Sequence, residues 1–120
     1  MVITVANITI HQTELFHPHN DPDDHWDLAC QFALAESGHI DLRGILIDYP
    51  PADIEFGDPA AAADGQLNAI TSLSIPFSVG LPASYQEEDT DRAKANGGIR
   101  MLIRTMEEAT APITLHVAGS

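Results

Sequence analysis

The sequence has little cysteine, little positive charge and no long apolar run, and each shortage excludes a class of protein. Its 120 residues include one cysteine, Cys30, which excludes an internal disulfide and a thiolate metal cluster. Because Cys30 lies in an apolar helical pattern, we predict a buried, small hydrophobic side chain. No apolar run approaches the roughly 18–20 residues that span a bilayer, so no membrane partner is expected. The first ten residues contain no Lys or Arg and no small-residue cleavage pattern, so we predict no signal peptide and favour a cytoplasmic location.

Positive charge is scarce throughout the chain. Only 5 basic residues stand against 18 acidic ones, which gives a formal net charge of −13. A field of this sign repels phosphate backbones, so we predict that nucleic acid is not a partner. The same field attracts cations, although acidity that serves only solubility explains the charge equally well. The length and the 44% hydrophobic share fit one domain with one core, and we interpret residues 1–120 as a single α/β domain.

Strand and helix signals alternate along the chain. The predicted strands are residues 2–10 (with extended chain to 16), 42–47, 75–79 and 113–117. The predicted helices are residues 23–37, 59–73 and 91–109. The order β-α-β-α-β-α-β predicts a Rossmann-like, open and mainly parallel sheet with right-handed crossovers.

A few side chains in these elements have predicted structural roles. The stripe that contains Trp26 and Cys30 predicts that Trp26 lies in the core. His116, in the last strand, is predicted to be a core residue with a hydrogen-bond partner. Asn68 and Asn96 are expected in ordinary helix-surface or turn roles, and Asp58 is the expected cap of the second helix.

The densest polar chemistry lies in the segment His-Pro-His-Asn-Asp-Pro-Asp-Asp-His-Trp-Asp at residues 17–27. It holds four carboxylates and three imidazoles in eleven residues at a predicted strand-to-helix junction. In open parallel sheets, ligands bind beyond the carboxyl ends of the strands, which is where this segment falls. Carboxylates so close together repel one another unless a cation compensates, and calcium and magnesium prefer such oxygen ligands.

Two other interpretations of this segment remain open. Asp-Pro-Asp-Asp before an apolar run is also how an ordinary helix is capped and charged, and taken alone the spacing favours capping. His17 and His19, which flank Pro18, are also typical of a pair of transition-metal ligands. With His25 they would make a zinc or iron hydrolase.

Five segments carry a resemblance to a known family. They are Asp23-Asp24 with the following helix, Ile40-Asp41-Leu42-Arg43-Gly44-Ile45-Leu46-Ile47, Leu67-Asn68-Ala69, Ile75-Pro76-Phe77-Ser78-Val79-Gly80 and Pro112-Ile113-Thr114-Leu115-His116-Val117-Ala118-Gly119. In order and spacing, over nearly the whole chain, they resemble the N-terminal part of the inosine-uridine nucleoside hydrolase family. That family opens with a strand, a motif D-x-D-x-x-x-D-D and a helix.

The resemblance implies metal-dependent hydrolysis of an N-ribosyl bond in a nucleoside or other ribosyl substrate. Asp24 would bind Ca²⁺, and Asp23 would accept a hydrogen bond from the ribose 2′-hydroxyl as positive charge develops on the sugar. Asp21 or His19 would accept the proton of the attacking water, and both are candidate metal ligands. If His19 is a ligand, Zn²⁺ becomes the alternative metal. Asp48 would take a polar, substrate-side role.

The sequence also departs from the family pattern. The first two family aspartates fall on His17 and His19, and Asp48 replaces the asparagine that follows the second strand. The chain is also shorter than family members, so the resemblance implies a site completed by a C-terminal segment or by a homo-oligomer. A catalytically impaired, sugar- or nucleoside-binding homologue is the alternative function.

Overall fold

The computed structural model describes residues 6–15, 22–48, 59–81 and 85–118. The strands are β1 (Asn7–Thr13), β2 (Ile40–Ile47), β3 (Phe77–Val79) and β4 (Thr114–Val117). The helices are α1 (Asp23–Glu36), α2 (Pro59–Thr71), α3 (Thr90–Ala95) and α4 (Gly97–Glu108), with a 3₁₀ turn at Glu87–Asp89. The predicted alternation of strands and helices is therefore confirmed. Predicted strand residues 2–5 and the predicted cap Asp58 lie outside the described residues.

The four strands form one sheet in the order β3-β2-β1-β4, and every neighbouring pair is parallel. This arrangement confirms an open, parallel α/β sheet. The chain moves outward from β1 to β2 and β3, and then returns to place β4 on the other side of β1. The strand order therefore reverses between β1 and β4, which is where open α/β sheets form their ligand crevice.

The main core lies between one face of the sheet and helices α1 and α2. It consists of buried apolar side chains from the first two strands, their following loop and α1, namely Leu15, Leu28, Phe32, Leu42, Ile45 and Ile47. Ala63 and Leu67 of α2 pack against this cluster. Removing such side chains from water is the main favourable contribution to folding.

An extra residue in β2 lets these core residues share one face. Thr9 of β1 pairs with Leu42, whereas Ile10 pairs with Gly44, so Arg43 is a bulged residue. Regular alternation would send Leu42 and Ile45 to opposite faces, because they are separated by an odd number of positions. The bulge restores both to the core.

Helix α4 covers the other face of the sheet at close range. A Cβ atom added to Gly44 would lie 2.8 Å from the Met101 sulfur, and one added to Gly98 would lie 2.9 Å from the Val79 carbonyl oxygen. Because neither glycine has a side chain, the helix backbone approaches the strands more closely than larger residues permit.

The predicted continuous helix over residues 91–109 is interrupted. Asn96 has φ −70° and ψ 130°, an extended conformation that ends α3, and its side chain accepts a hydrogen bond from the Ile99 amide at 3.1 Å. Asn96 is thus the N-cap of α4. The expected turn role of Asn96 is confirmed, and so is that of Asn68, whose amide bonds both the N–H and the C=O of Ile75.

Three predicted burial states are wrong. Trp26 is 73% exposed, because α1 meets the sheet through the neighbouring stripe that holds Leu28 and Phe32. Cys30 is only partly buried for the same reason. His116 is exposed, since β4 lies at one end of the described sheet.

Candidate functional site

The carboxyl end of β1 is tied to the start of α1 through Asp24. The Oδ2 atom of Asp24 accepts a hydrogen bond from the backbone N–H of Glu14 at 3.2 Å. Glu14 directly follows β1, and the next residue, Leu15, is buried in the main core. The predicted metal ligand Asp24 is therefore held at the carboxyl edge of the central strand, beside the position where the strand order reverses.

The predicted substrate-side residue Asp48 lies at the end of β2, the strand next to β1. Its backbone N–H donates to the Thr13 carbonyl at 2.8 Å, and its Oδ2 atom accepts from Gln12 Nε2 at 2.9 Å. These two bonds orient the carboxylate against the end of β1. Asp24 and Asp48 are therefore both hydrogen-bonded near the carboxyl end of β1, at the same edge of the sheet.

Asp23 occupies the first turn of α1 and is exposed. The N-cap position is Pro22, and it makes no side-chain capping hydrogen bond. Asp21, the other acidic residue that could cap the helix, lies outside the described residues, so the side-chain part of the capping interpretation stays a prediction. The acidic side chains Asp23 and Asp24 still lie where the positive end of the helix dipole stabilises negative charge.

A shallow cavity of about 490 Å³ opens beside this first turn. It is lined by Pro22, Asp23, His25 and Trp26. The exposed indole of Trp26 therefore stands next to a carboxylate and an imidazole, a combination that suits a polar ligand with one flat apolar face. The helical pattern of the sequence predicted that Trp26 lies in the core, and it carried no signal for this exposed position beside a cavity.

The other predicted site residues, His19 and Asp21, lie outside the described residues, as does His17. Their roles remain predictions. Within residues 6–15, 22–48, 59–81 and 85–118, no three His, Cys, Asp or Glu side chains form a group that could hold a metal ion. A metal site at this edge would therefore need at least one ligand from outside these ranges.

A pair of histidines was also missed. His11 of β1 and His116 of β4 occupy the same register position, with their Nδ1 atoms 2.8 Å apart. His11 is fully buried, and its Nε2 atom has no hydrogen-bond partner in the described structure. Burial lowers the pKa of His11 to about 4, the charge of His116 acts in the same direction, and Asp27 opposes both.

A second buried ionisable group is Asp64 of α2, away from this edge. Asp64 is buried, and its Oδ2 atom accepts from Asn68 Nδ2 at 3.0 Å, whereas Oδ1 has no partner among the described residues. Burial raises the pKa of Asp64 to about 6, against the opposing effect of the Asn68 hydrogen bond. Its packing beside the α2–β3 turn indicates a structural role.

Comparison with known proteins identifies no relative: no protein-family model, curated protein or solved structure matches the chain significantly. Among the described helices, none is long and apolar enough to cross a membrane. The molecule is therefore defined here by its class, an open parallel α/β sheet with acidic side chains at the carboxyl edge of its central strands.

Proposed function

We propose that this chain forms the metal- and ribose-binding part of a nucleoside-hydrolase-like enzyme, which hydrolyses an N-ribosyl bond with the help of Ca²⁺. One observation carries the proposal: Asp24 is hydrogen-bonded to the end of β1, next to the position between β1 and β4 where the strand order reverses. Open α/β sheets bind ligands at this position. The sequence resemblance supplies the reaction and the sugar.

The donor chemistry of this edge fits calcium. Asp24 and Asp48 provide carboxylate oxygens, which are the preferred ligands of a hard divalent cation. Asp24 would hold the ion together with Asp21, and with His19 if the metal is zinc. When bound, the ion supplies positive charge that makes a water molecule more acidic.

The residues of the chain would divide the remaining tasks. Asp23 would accept a hydrogen bond from the ribose 2′-hydroxyl, an interaction that strengthens as the sugar gains positive charge. Asp21 or His19 would take the proton from the attacking water, and histidine is suited to this near neutral pH. Asp48, oriented by Gln12, would contact the substrate. Trp26, which lines the same cavity as Asp23, would offer the substrate a flat apolar surface.

The proposal is tested by calorimetric titration with Ca²⁺ and Zn²⁺, each with and without ribose, followed by assays of base release from nucleosides. The key variant is Asp24→Asn. Its matched control is Asp41→Asn, which removes the same charge from the opposite end of the sheet, where Asp41 pairs with Arg43. Thermal melting of both variants checks that they fold.

Calcium binding that ribose strengthens, and that only Asp24→Asn abolishes, would support the proposed site. Equal affinity in both variants would remove Asp24 as a ligand and leave it as an acidic residue at a helix start. Zinc binding that is lost in His19→Ala would favour the histidine-based hydrolase instead. Ribose binding without base release would indicate the sugar-binding homologue.

A further inference from the structure

Two arginines of α4 line a cavity on the face of the sheet opposite α1 and α2. Arg100 and Arg104 are one helical turn apart, and both border a cavity of about 390 Å³ beside β3. The remaining lining residues are Pro76, Phe77, Ser78, Gly97 and Met101. This cavity lies apart from the acidic edge, which follows β1 and β2.

Neither arginine forms an ion pair with a carboxylate of the described residues. Across the described ranges, the guanidinium groups of Arg100 and Arg104 have no hydrogen bond and no ion pair. Arg43 and Arg92, in contrast, pair with aspartates at 2.7 and 2.9 Å. Like charges one turn apart repel on a helix, so an anion bound between Arg100 and Arg104 would relieve their repulsion. In a chain with 18 acidic and 5 basic residues, two adjacent arginines without an ion pair form a small basic patch, which Glu107 and Glu108 border one turn beyond Arg104.

The cavity also offers neutral donors. Ser78 contributes a hydroxyl group, and a Cβ added at Gly97 would meet only the Ser78 Oγ atom, at 3.5 Å. In the parallel ladder, Pro76 C=O and Gly80 N–H bond to β2, so the alternate N–H of Phe77 is directed away from β2. The absence of a side chain at Gly97 keeps the space between these donors and the arginines open.

We propose that Arg100, Arg104 and Ser78 form a binding site for a single phosphate group, either inorganic phosphate or a small phosphate monoester. Guanidinium groups bind phosphate oxygens in a bidentate, charge-assisted manner, and a hydroxyl adds a directional donor. The net charge of −13 opposes anions at long range. At physiological salt, however, charges beyond about 8 Å are largely screened, so the two adjacent arginines dominate within the cavity. A long polyanion would meet the acidic surface around it.

The test is a titration of the full chain with inorganic phosphate at constant ionic strength, read by calorimetry and by the midpoint of thermal unfolding. The test variant is Arg100→Gln/Arg104→Gln, and the matched control is Arg92→Gln, an exposed arginine on α3. We expect phosphate to raise the melting temperature of the wild type and of Arg92→Gln. In the double variant, phosphate affinity falls by about tenfold or more, the worth of a hydrogen bond to a charged group.

The melting temperature of the double variant without phosphate shows whether a loss of phosphate affinity comes from a damaged fold. Without phosphate this variant should melt near the wild-type temperature, because both arginines are exposed and form no hydrogen bond or ion pair in the described structure. Equal loss of affinity in Arg92→Gln, or an effect that chloride reproduces at the same ionic strength, would overturn the site. Tighter binding of glycerol 3-phosphate than of inorganic phosphate identifies a monoester as the ligand, and equal affinity identifies free phosphate. Equal binding of succinate would overturn phosphate as the ligand class.

Discussion

The Nδ1 atoms of His11 and His116 lie 2.8 Å apart, so one hydrogen bond joins the side chains of two parallel strands, β1 and β4. The ring planes are nearly parallel, with an interplanar angle of 19° and centroids 4.9 Å apart. One Nδ1 must donate and the other must accept, so the pair cannot hold two imidazolium ions in this geometry. His11, buried and beside the crevice position, is the ring that stays neutral.

We first predict that acid lowers the stability of the folded protein through His11. The pKa of His11 is 6.5 when the chain is unfolded and about 4 when folded. Between these values the unfolded chain binds more protons, so the His11 contribution to stability is present above about pH 6.5 and is lost as the pH falls toward 4. The loss is on the order of 3 kcal/mol. Urea unfolding of wild type and His11→Gln from pH 4 to 7 should show the stability difference shrinking with acid.

His116→Gln is the control for this prediction. It removes the charge that opposes protonation of His11 but leaves burial, the larger cause, in place. Its acid sensitivity should therefore be weaker than that of the wild type but not absent. A His11→Gln variant with the same slope of stability against pH as the wild type would show that His11 does not titrate in this range.

We predict that Asp64 changes stability with pH in the opposite direction to His11. The pKa of Asp64 is 3.8 in the unfolded chain and about 6 in the folded protein. The folded state therefore binds more protons between these values, and the Asp64 contribution falls as pH rises through this window. Asp64→Asn, which does not titrate, should steepen the gain in stability from pH 4 to 6, because it leaves the His11 effect unopposed. An unchanged slope in urea unfolding would contradict a protonated, buried Asp64.

The third prediction compares two glycines under α4. At Gly98 an added methyl group meets the Val79 carbonyl at 2.9 Å, and backbone cannot move aside easily. At Gly44 it meets the Met101 sulfur at 2.8 Å, the far part of a flexible side chain. Gly98→Ala should therefore lose about 1–3 kcal/mol of unfolding free energy by overpacking, despite better helix propensity. Gly44→Ala should lose less, and the reverse ranking in chemical denaturation would contradict this packing.

The fourth prediction follows from the orientation of α1. Trp26 is 73% exposed and Phe32 is 0% exposed. Trp26→Ala should change the free energy of unfolding by less than about 1 kcal/mol, as surface substitutions do, whereas Phe32→Ala should cost about 3–5 kcal/mol. The single tryptophan should also be quenched efficiently by acrylamide. Strong protection from the quencher would instead restore Trp26 to the core.

Local sequence predicted the fold well where one signal dominated. The β-branched run of β1 and the apolar run of β2 are strong strand signals, and the alternation with helices implied a parallel sheet. It failed on α1, because the stripe of Trp26 and the stripe of Phe32 are both apolar and only tertiary packing chooses between them. It also missed the break at Asn96, whose capping bond competes with helix continuation.

The candidate site was predictable to the extent that it follows strand ends. The family resemblance predicted site roles for Asp24 and Asp48, the strand-end rule agrees with it, and both side chains are hydrogen-bonded to β1 or its following residue. The pairing of His11 with His116 had no local signal, because it depends on the register of strands more than one hundred residues apart. Charge counting likewise gave no sign that Arg100 and Arg104 would share one cavity.

The bulge at Arg43 shifts the alternation of side chains within β2 by one residue. Core residues before the bulge have even numbers and core residues after it have odd numbers. The extra residue is what brings both groups to the same face of the sheet. Substitution of the exposed Arg43 leaves the number of residues in β2 unchanged and so preserves this alternation. Deletion of one residue would instead turn the side chains of one half of β2 to the opposite face of the sheet. Because Asp48 follows the second half of β2, the direction of its carboxylate at the candidate site depends on the bulged residue in the middle of that strand.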